Sequence, residues 1–337
     1  MKTLKPFLYL LVVFAIVLSA CNKDVHKIGE DENLDIQVKN MEDLIVPANF
    51  DWRIPMNSAN TLKAGGNHYY PNVYATLAFE DLWPAKGDYD FNDLVVSYQF
   101  RTATNASNNI TDIVGTFIFR ATGAGTENGF GFELTGLDTT GFVVTGNSVY
   151  AGYTTATDGN SGWELGQSNP VIIVADNIKD IMPLWANNSQ YGTIFAPDDT
   201  LEIHITPRPG VDIDSADFII NGTNFNPFLI IDFINEGRGR EVHKVNFPPT
   251  DLADPSYFMT ADDYSQPGIN STYKTSKNYP WVLEIPGIFK YPRESIDINW
   301  GYYHFGAWAE SGGILYTDWY SNLAPGYRLI GNLYQAP

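Results

Sequence analysis

Residues 79–100 read FEDLWPAKGDYDFNDLVVSYQF. The second half, from Leu94, is a β-branched apolar run that passes into Ser-Tyr-Gln-Phe, the composition of a packed strand. The first half crowds Glu80, Asp81, Asp88, Asp90, Asn92 and Asp93 into one short connection. Like charges held that close repel one another, so a fold that keeps them needs a compensating partner. A strand fed by a carboxylate-rich connection sets the two questions for the whole chain: which β architecture, and which cation.

Working outward from this stretch, the pattern is all-β. Thr116–Arg120, Phe130–Leu134, Phe142–Thr145 and Val171–Val174 are short apolar runs separated by Gly, Asn and Asp clusters. That spacing predicts antiparallel, sandwich-like sheets with long loops and little helix. Leu201–Thr206 alternates, with Leu201, Ile203 and Ile205 predicted inward and His204 outward. Asp217–Ile220 and Phe228–Phe233 read as two further strands across Asn221-Gly222. Residues 176–186 allow one short helical turn, limited by Pro183. Trp281–Ile285 reads as a strand ended by Pro286, and Ile296–Trp300 as a strand or short helix. The chain then closes on an aromatic-rich stretch, His304–Tyr320.

The N-terminus is read differently. Lys2 and Lys5 precede an apolar run from Phe7 to Val17, followed by Leu18-Ser19-Ala20-Cys21. This is the layout of a signal peptide over residues 1–20, and the run is short for a membrane-spanning helix, which needs about 20 apolar residues. Leu-Ser-Ala-Cys resembles a bacterial lipobox. Cys21 is the single cysteine of the chain, so the expected lipidation site is Cys21 and no disulfide can form within the chain. Residues 21–45 read as a flexible acidic tether, 46–69 as a short N-terminal strand segment, and 70–335 as the β domain.

Charge narrows the partners. The 337 residues carry 20 Lys and Arg against 39 Asp and Glu, a net charge of −19. Phosphate backbones require basic patches, so nucleic acid is excluded as a partner. The expected partners are the membrane, through a lipid on Cys21, and an extracellular glycan or protein. The 20 Tyr, 20 Phe and 8 Trp supply a large core. Trp185, Trp308 and Trp319 lie in polar surroundings and read as core or rim packing.

If the 88–93 backbone is extended, Asp88, Asp90 and Asn92 share one face and Tyr89 and Phe91 face the core. Three oxygen side chains then converge in the manner of a Ca²⁺ site, with Asp93, Glu80 and Asp81 as further ligands. The spacing resembles the opening of an EF-hand loop, yet Asp93 stands at the sixth position and Gln99 at the twelfth, where that motif has Gly and Glu. The same residues also suit an Asx-turn hairpin whose carboxylates cap backbone N–H groups, and a catalytic role stays open at this point. His26, His68, His204, His243 and His304 form no zinc spacing. Gly237-Arg238-Gly239-Arg240-Glu241, the one basic knot, reads as structural pairing with acids.

Phe79–Val96, FEDLWPAKGDYDFNDLVV, resembles the signature of LruC-domain lipoproteins. Asn226-Pro227-Phe228, Gly239–His243, Pro248–Leu252, Tyr273-Lys274-Thr275, Pro280-Trp281 and Trp308–Gly313 add to the likeness. The resemblance spans about residues 70–335. It implies an exported, lipid-anchored outer-membrane protein of Bacteroidota or spirochaete type, facing the periplasm or the exterior. It implies no reaction, so the expected role is non-enzymatic. The stretch is also similar to other exported domains with a Phe-Glu-Asp…Asp-x-Asp-x-Asn-Asp-Leu signature, a likeness that implies Ca²⁺. The alternative is a carbohydrate-binding or carbohydrate-cleaving surface lipoprotein, which needs a Trp-lined groove with two facing carboxylates.

Overall fold

The computed structural model describes residues 65–188 and 194–335. The expected signal peptide, Cys21, the tether and residues 46–64 lie outside the described residues.

Among the described residues, ten strands form two antiparallel sheets, as the spacing predicts. The six-stranded sheet runs β10 (Val282–Pro286), β1 (Asn67–Phe79), β2 (Leu94–Thr104), β3 (Ile110–Ala121), β7 (Asp199–Pro207) and β5 (Phe142–Gly146). The four-stranded sheet runs β6 (Val171–Ala175), β4 (Gly129–Leu134), β8 (Phe225–Ile230) and β9 (Glu241–His243). Three short helices are found among the described residues: α1 (Phe233–Glu236), α2 (Ile298–Gly301) and α3 (Phe305–Glu310).

Alternation along the strands decides what each face buries. Leu77, Phe79, Val96, Tyr98, Phe100, Phe117 and Phe119 of the larger sheet meet Phe130, Phe132, Ile172, Val174, Phe225 and Leu229 of the smaller one. The contact is aromatic: Phe117 stacks on Phe132 at 5.4 Å, and Tyr98 lies 4.7 Å from Phe225. On β7, Leu201, Ile203 and Ile205 are buried, as expected from their alternation.

The opposite face of the larger sheet is covered too. Ala78, Val95 and Ala121 pack against Phe289, Tyr291, Ile298, Tyr302, Phe305, Trp308 and Trp319. The irregular C-terminal stretch is therefore a third layer. This explains why Leu94-Val95-Val96 is an unbroken apolar run: β2 is buried on both faces at its start.

Two expectations need correction. Asp217–Ile220 is not a strand, and the neighbouring strand is Phe225–Ile230. The Asn221 side chain accepts from Thr223 N at 2.8 Å, and Asn224 Nδ2 donates to Ile219 O at 2.7 Å. Side-chain amides there take up backbone groups that a ladder would need. Phe233 starts α1 rather than ending a strand, after Asp232 turns into the left-handed region at φ 47°.

The outer face of the smaller sheet carries a buried ionic chain. The Arg238 guanidinium donates to Glu164 at 2.8 and 2.9 Å and also pairs with Glu241. Glu241 accepts from Thr250 N at 2.6 Å and lies 3.0 Å from His243 Nε2. Burial pushes the Glu241 carboxyl up, but Arg238 and His243 more than offset this and hold it at about 2. The basic knot is thus structural pairing in the interior. Arg238→Ala leaves two buried carboxylates without their cation, so urea unfolding is expected to show a loss of about 3–5 kcal/mol.

Candidate metal centre

Phe79 pairs with Leu94, so residues 80–93 are the closed connection of the β1–β2 hairpin. Glu80 and Asp93 sit at its two ends. The extended backbone expected for residues 88–93 is not found. Gly87, Tyr89 and Phe91 take positive φ of 72°, 63° and 54°. Every second residue is left-handed, so the acids between them are redirected rather than aligned along a strand. At Tyr89 and Phe91 this conformation costs on the order of 1–3 kcal/mol each unless their surroundings hold them. Here burial does so. Tyr89 and Phe91 are fully buried, as expected, with Tyr89 OH donating to Pro280 O at 2.7 Å and Phe91 5.8 Å from Phe305.

The turn brings three carboxylates together: Glu80, Asp88 and Asp90 each place one oxygen within 4.8 Å of the others. Calcium–oxygen distances are about 2.3–2.6 Å, so a spacing of this size can surround one such ion. Glu80 and Asp90 are buried, while Asp88 is exposed. Glu80 Oε1 accepts from Phe91 N at 2.6 Å, whereas Glu80 Oε2 is buried with no hydrogen-bond partner. A Cβ at Gly87 would approach that oxygen to 2.9 Å, so Gly87 serves both the turn and the carboxylate. Asp90 accepts from Asn92 N at 3.1 Å and, across the fold, from Ser295 N at 2.8 Å.

The other predicted ligands take different partners. Asp93 Oδ2 accepts from Asp81 N at 2.7 Å and closes the loop. Asp81 Oδ2 accepts from Asn128 Nδ2 at 2.9 Å and from Thr126 Oγ1. Asn92 Nδ2 donates to Pro292 O at 3.3 Å, while its Oδ1 is buried without a donor beside Gly123. The capping reading therefore fits Glu80, Asp90 and Asp93, each of which accepts from a backbone N–H, and leaves the second Glu80 oxygen without a donor.

The electrostatics are one-sided. Burial, then Asp90, Asp88 and Asp81, push Glu80 well up. Burial, then Asp88 and Glu294, push Asp90 up to about 8. Burial, then Asp81 and Glu80, raise Asp93, and burial also raises Asp88 and Glu294. No ion pair found among the described residues involves Glu80, Asp81, Asp88, Asp90 or Asp93. Three converging carboxylate oxygens are chemically suited to a hard cation.

Sequence reasoning missed Glu294, Ser295, Asn188 and Gly123. Asn188 Nδ2 donates to Glu294 at 2.8 Å, and Gly123 N donates to Asn92 O at 2.8 Å. These residues come from distant segments, and nothing in their local sequence announces them. Arg240, from the basic knot, donates to Trp83 O at 2.8 Å and so braces the loop. Trp308 and Trp319 are buried, while Trp185 is exposed. A cleft of about 550 Å³ beside the third layer is lined by Arg120, Asp198, Phe195, Lys290 and Tyr291 among others, with one carboxylate and no Trp. It lacks the paired acids that glycoside cleavage needs.

The family described as Domain of unknown function (DUF4842) matches residues 108–320, and the chain belongs to it. A search of curated proteins finds no match. Among solved structures the fold is similar to that of a putative lipoprotein from Bacteroides ovatus. The TM-score is 0.50 and the identity 18%, over 78% of this chain and 76% of that one. Among the described residues no helix is long and apolar enough to cross a membrane.

The raised carboxyls have a measurable sign. In a chelator, Asp90 binds its proton more tightly in the folded state (about 8) than in the unfolded state, whose carboxyl titrates near 3.9. The cation-free fold should therefore be most stable near pH 4 and lose stability as pH rises towards about 8. Thermal unfolding in EDTA across that window checks the slope. Asp90→Asn should flatten it.

Proposed function

We propose that this chain is a lipid-anchored cell-envelope protein of LruC type, non-enzymatic, whose β1–β2 loop holds Ca²⁺. Glu80, Asp88 and Asp90 are the ligands, and Asp81, Asn92 and Asp93 shape the loop around them. The observation that carries this reading is the convergence of three carboxylate oxygens within 4.8 Å, one residue of which has a buried oxygen without a donor. A bound ion offsets repulsion that no ion pair found among the described residues offsets, and its binding free energy adds to the stability of the fold.

The anchoring reading rests on the signal-peptide layout, the Leu-Ser-Ala-Cys sequence and the position of the single cysteine. A lipid on Cys21 places the β domain at the outer membrane beyond an acidic tether of residues 21–45. A folded, strongly acidic domain held there suits contact with a glycan or protein outside the membrane better than chemistry.

Residues 22–337 should melt at a higher temperature in Ca²⁺ than in EDTA, with saturation. At free Ca²⁺ of about 100 times Kd the gain is about 2.7 kcal/mol, a shift of several degrees for a domain of this size. Glu80→Gln and Asp90→Asn should abolish the response. An unchanged melting temperature at millimolar Ca²⁺ overturns the reading. Separately, metabolic labelling with a fatty-acid analogue should tag the wild-type chain in membranes and leave Cys21→Ser untagged.

A further inference from the structure

The acidic loop does more than connect two strands; it is where the third layer attaches. Ser295 N donates to Asp90 Oδ2, Asn92 Nδ2 to Pro292 O, and Ile298 N to Tyr89 O at 2.8 Å. Lys86 Nζ lies 3.4 Å from Asp297. Phe91 packs on Phe305, and Tyr89 lies 5.6 Å from Tyr279, which in turn packs on Phe305. The Glu80–Asp88–Asp90 cluster therefore lies directly beneath residues 292–298.

That layer has little structure of its own to rely on. Its helices, α2 and α3, have four and six residues. Isolated helices shorter than about 12–15 residues are marginal in water, so these exist because they are packed. Regions of this kind open locally at a lower free energy than the sheets beneath them.

Resting on the Ca²⁺ reading above, we infer that the ion works as a latch for residues 287–335: its binding fixes the loop that the C-terminal layer docks on, and its loss releases that layer from the sheet. Asp90 carries the coupling. One of its oxygens lies in the three-carboxylate cluster, and its Oδ2 holds the Ser295 backbone. What release uncovers is the outer face of the six-stranded sheet at Ala78, Val95 and Ala121, together with the ring cluster of Phe289, Tyr302, Phe305, Trp308 and Trp319. The chain thereby acquires an apolar surface whose exposure depends on external Ca²⁺.

Hydrogen exchange on residues 22–337, in EDTA and through a Ca²⁺ titration, tests this alongside calorimetric Ca²⁺ binding. Amides in 287–335 should gain protection in step with binding, by about 100-fold at free Ca²⁺ of about 100 times Kd. Amides of β3 and β4 should change far less. Asp90→Asn should lose the effect, and so should Asp88→Asn, an exposed position at which folding is not in question. Bound Ca²⁺ that protects residues 80–93 and leaves 287–335 unchanged overturns the latch and keeps the site. Equal protection of β3, β4 and the third layer also overturns it, because the ion then stabilises the whole fold uniformly. Absence of any binding heat overturns the site itself and the latch with it.

Discussion

A buried carboxylate is costly unless something meets its charge, and Glu80 is a fully buried carboxylate at the end of a central strand. The protein holds two contrasting solutions. Glu241 is equally buried, but Arg238 and His243 face it, and its carboxyl stays ionised at about 2. Asp90 is nearly as buried, but the charges that act on it are those of Asp88 and Glu294, and it rises to about 8. One site has its cation built into the chain. The other is left to take up protons or an ion from solution. The difference lies in the neighbours rather than in the burial.

The sandwich was legible because its signals are local. Alternation on β7 and the short apolar runs of β4, β5 and β6 each report a face or a strand without knowledge of the rest. The error at Asp217–Ile220 is also local, but it depends on side chains competing with the backbone, and composition alone does not rank that competition. The third layer was the harder part. Its aromatics were visible as an apolar excess in a segment without periodicity, yet what they cover, Ala78, Val95 and Ala121, is read from the far side of another strand.

The site divides in the same way. Glu80, Asp88 and Asp90 were all named from sequence because they crowd one stretch. Their grouping was not foreseen, because it depends on left-handed backbone at Tyr89 and Phe91. Bulky residues seldom adopt that conformation, and here they do so because their rings are drawn into a core built largely by residues far downstream. Ser295 and Glu294 were invisible for the same reason: more than two hundred positions separate Asp90 from Ser295. Spacing rules assume a regular backbone, and at this loop tertiary packing sets the backbone first.

That dependence runs in both directions. The third layer buries Tyr89 and Phe91, which fold the loop into the shape that gathers the acids. The gathered acids then oppose the shape, since burial first and the neighbouring carboxylates second drive each upward. On the proposed Ca²⁺ reading, a cation in the cluster offsets that opposition. Asp88, the exposed member, lies on the solvent side of the cluster, and Glu80 and Asp90 form its interior. An ion approaching from outside therefore meets one carboxylate in water before two that are already dehydrated. Calcium takes about six to eight oxygen ligands from carboxylates, carbonyls and water. Here two of the three carboxylates are held in the interior, Glu80 by Phe91 N and Asp90 by Asn92 N and Ser295 N, and on the proposed reading the ion offsets their mutual repulsion.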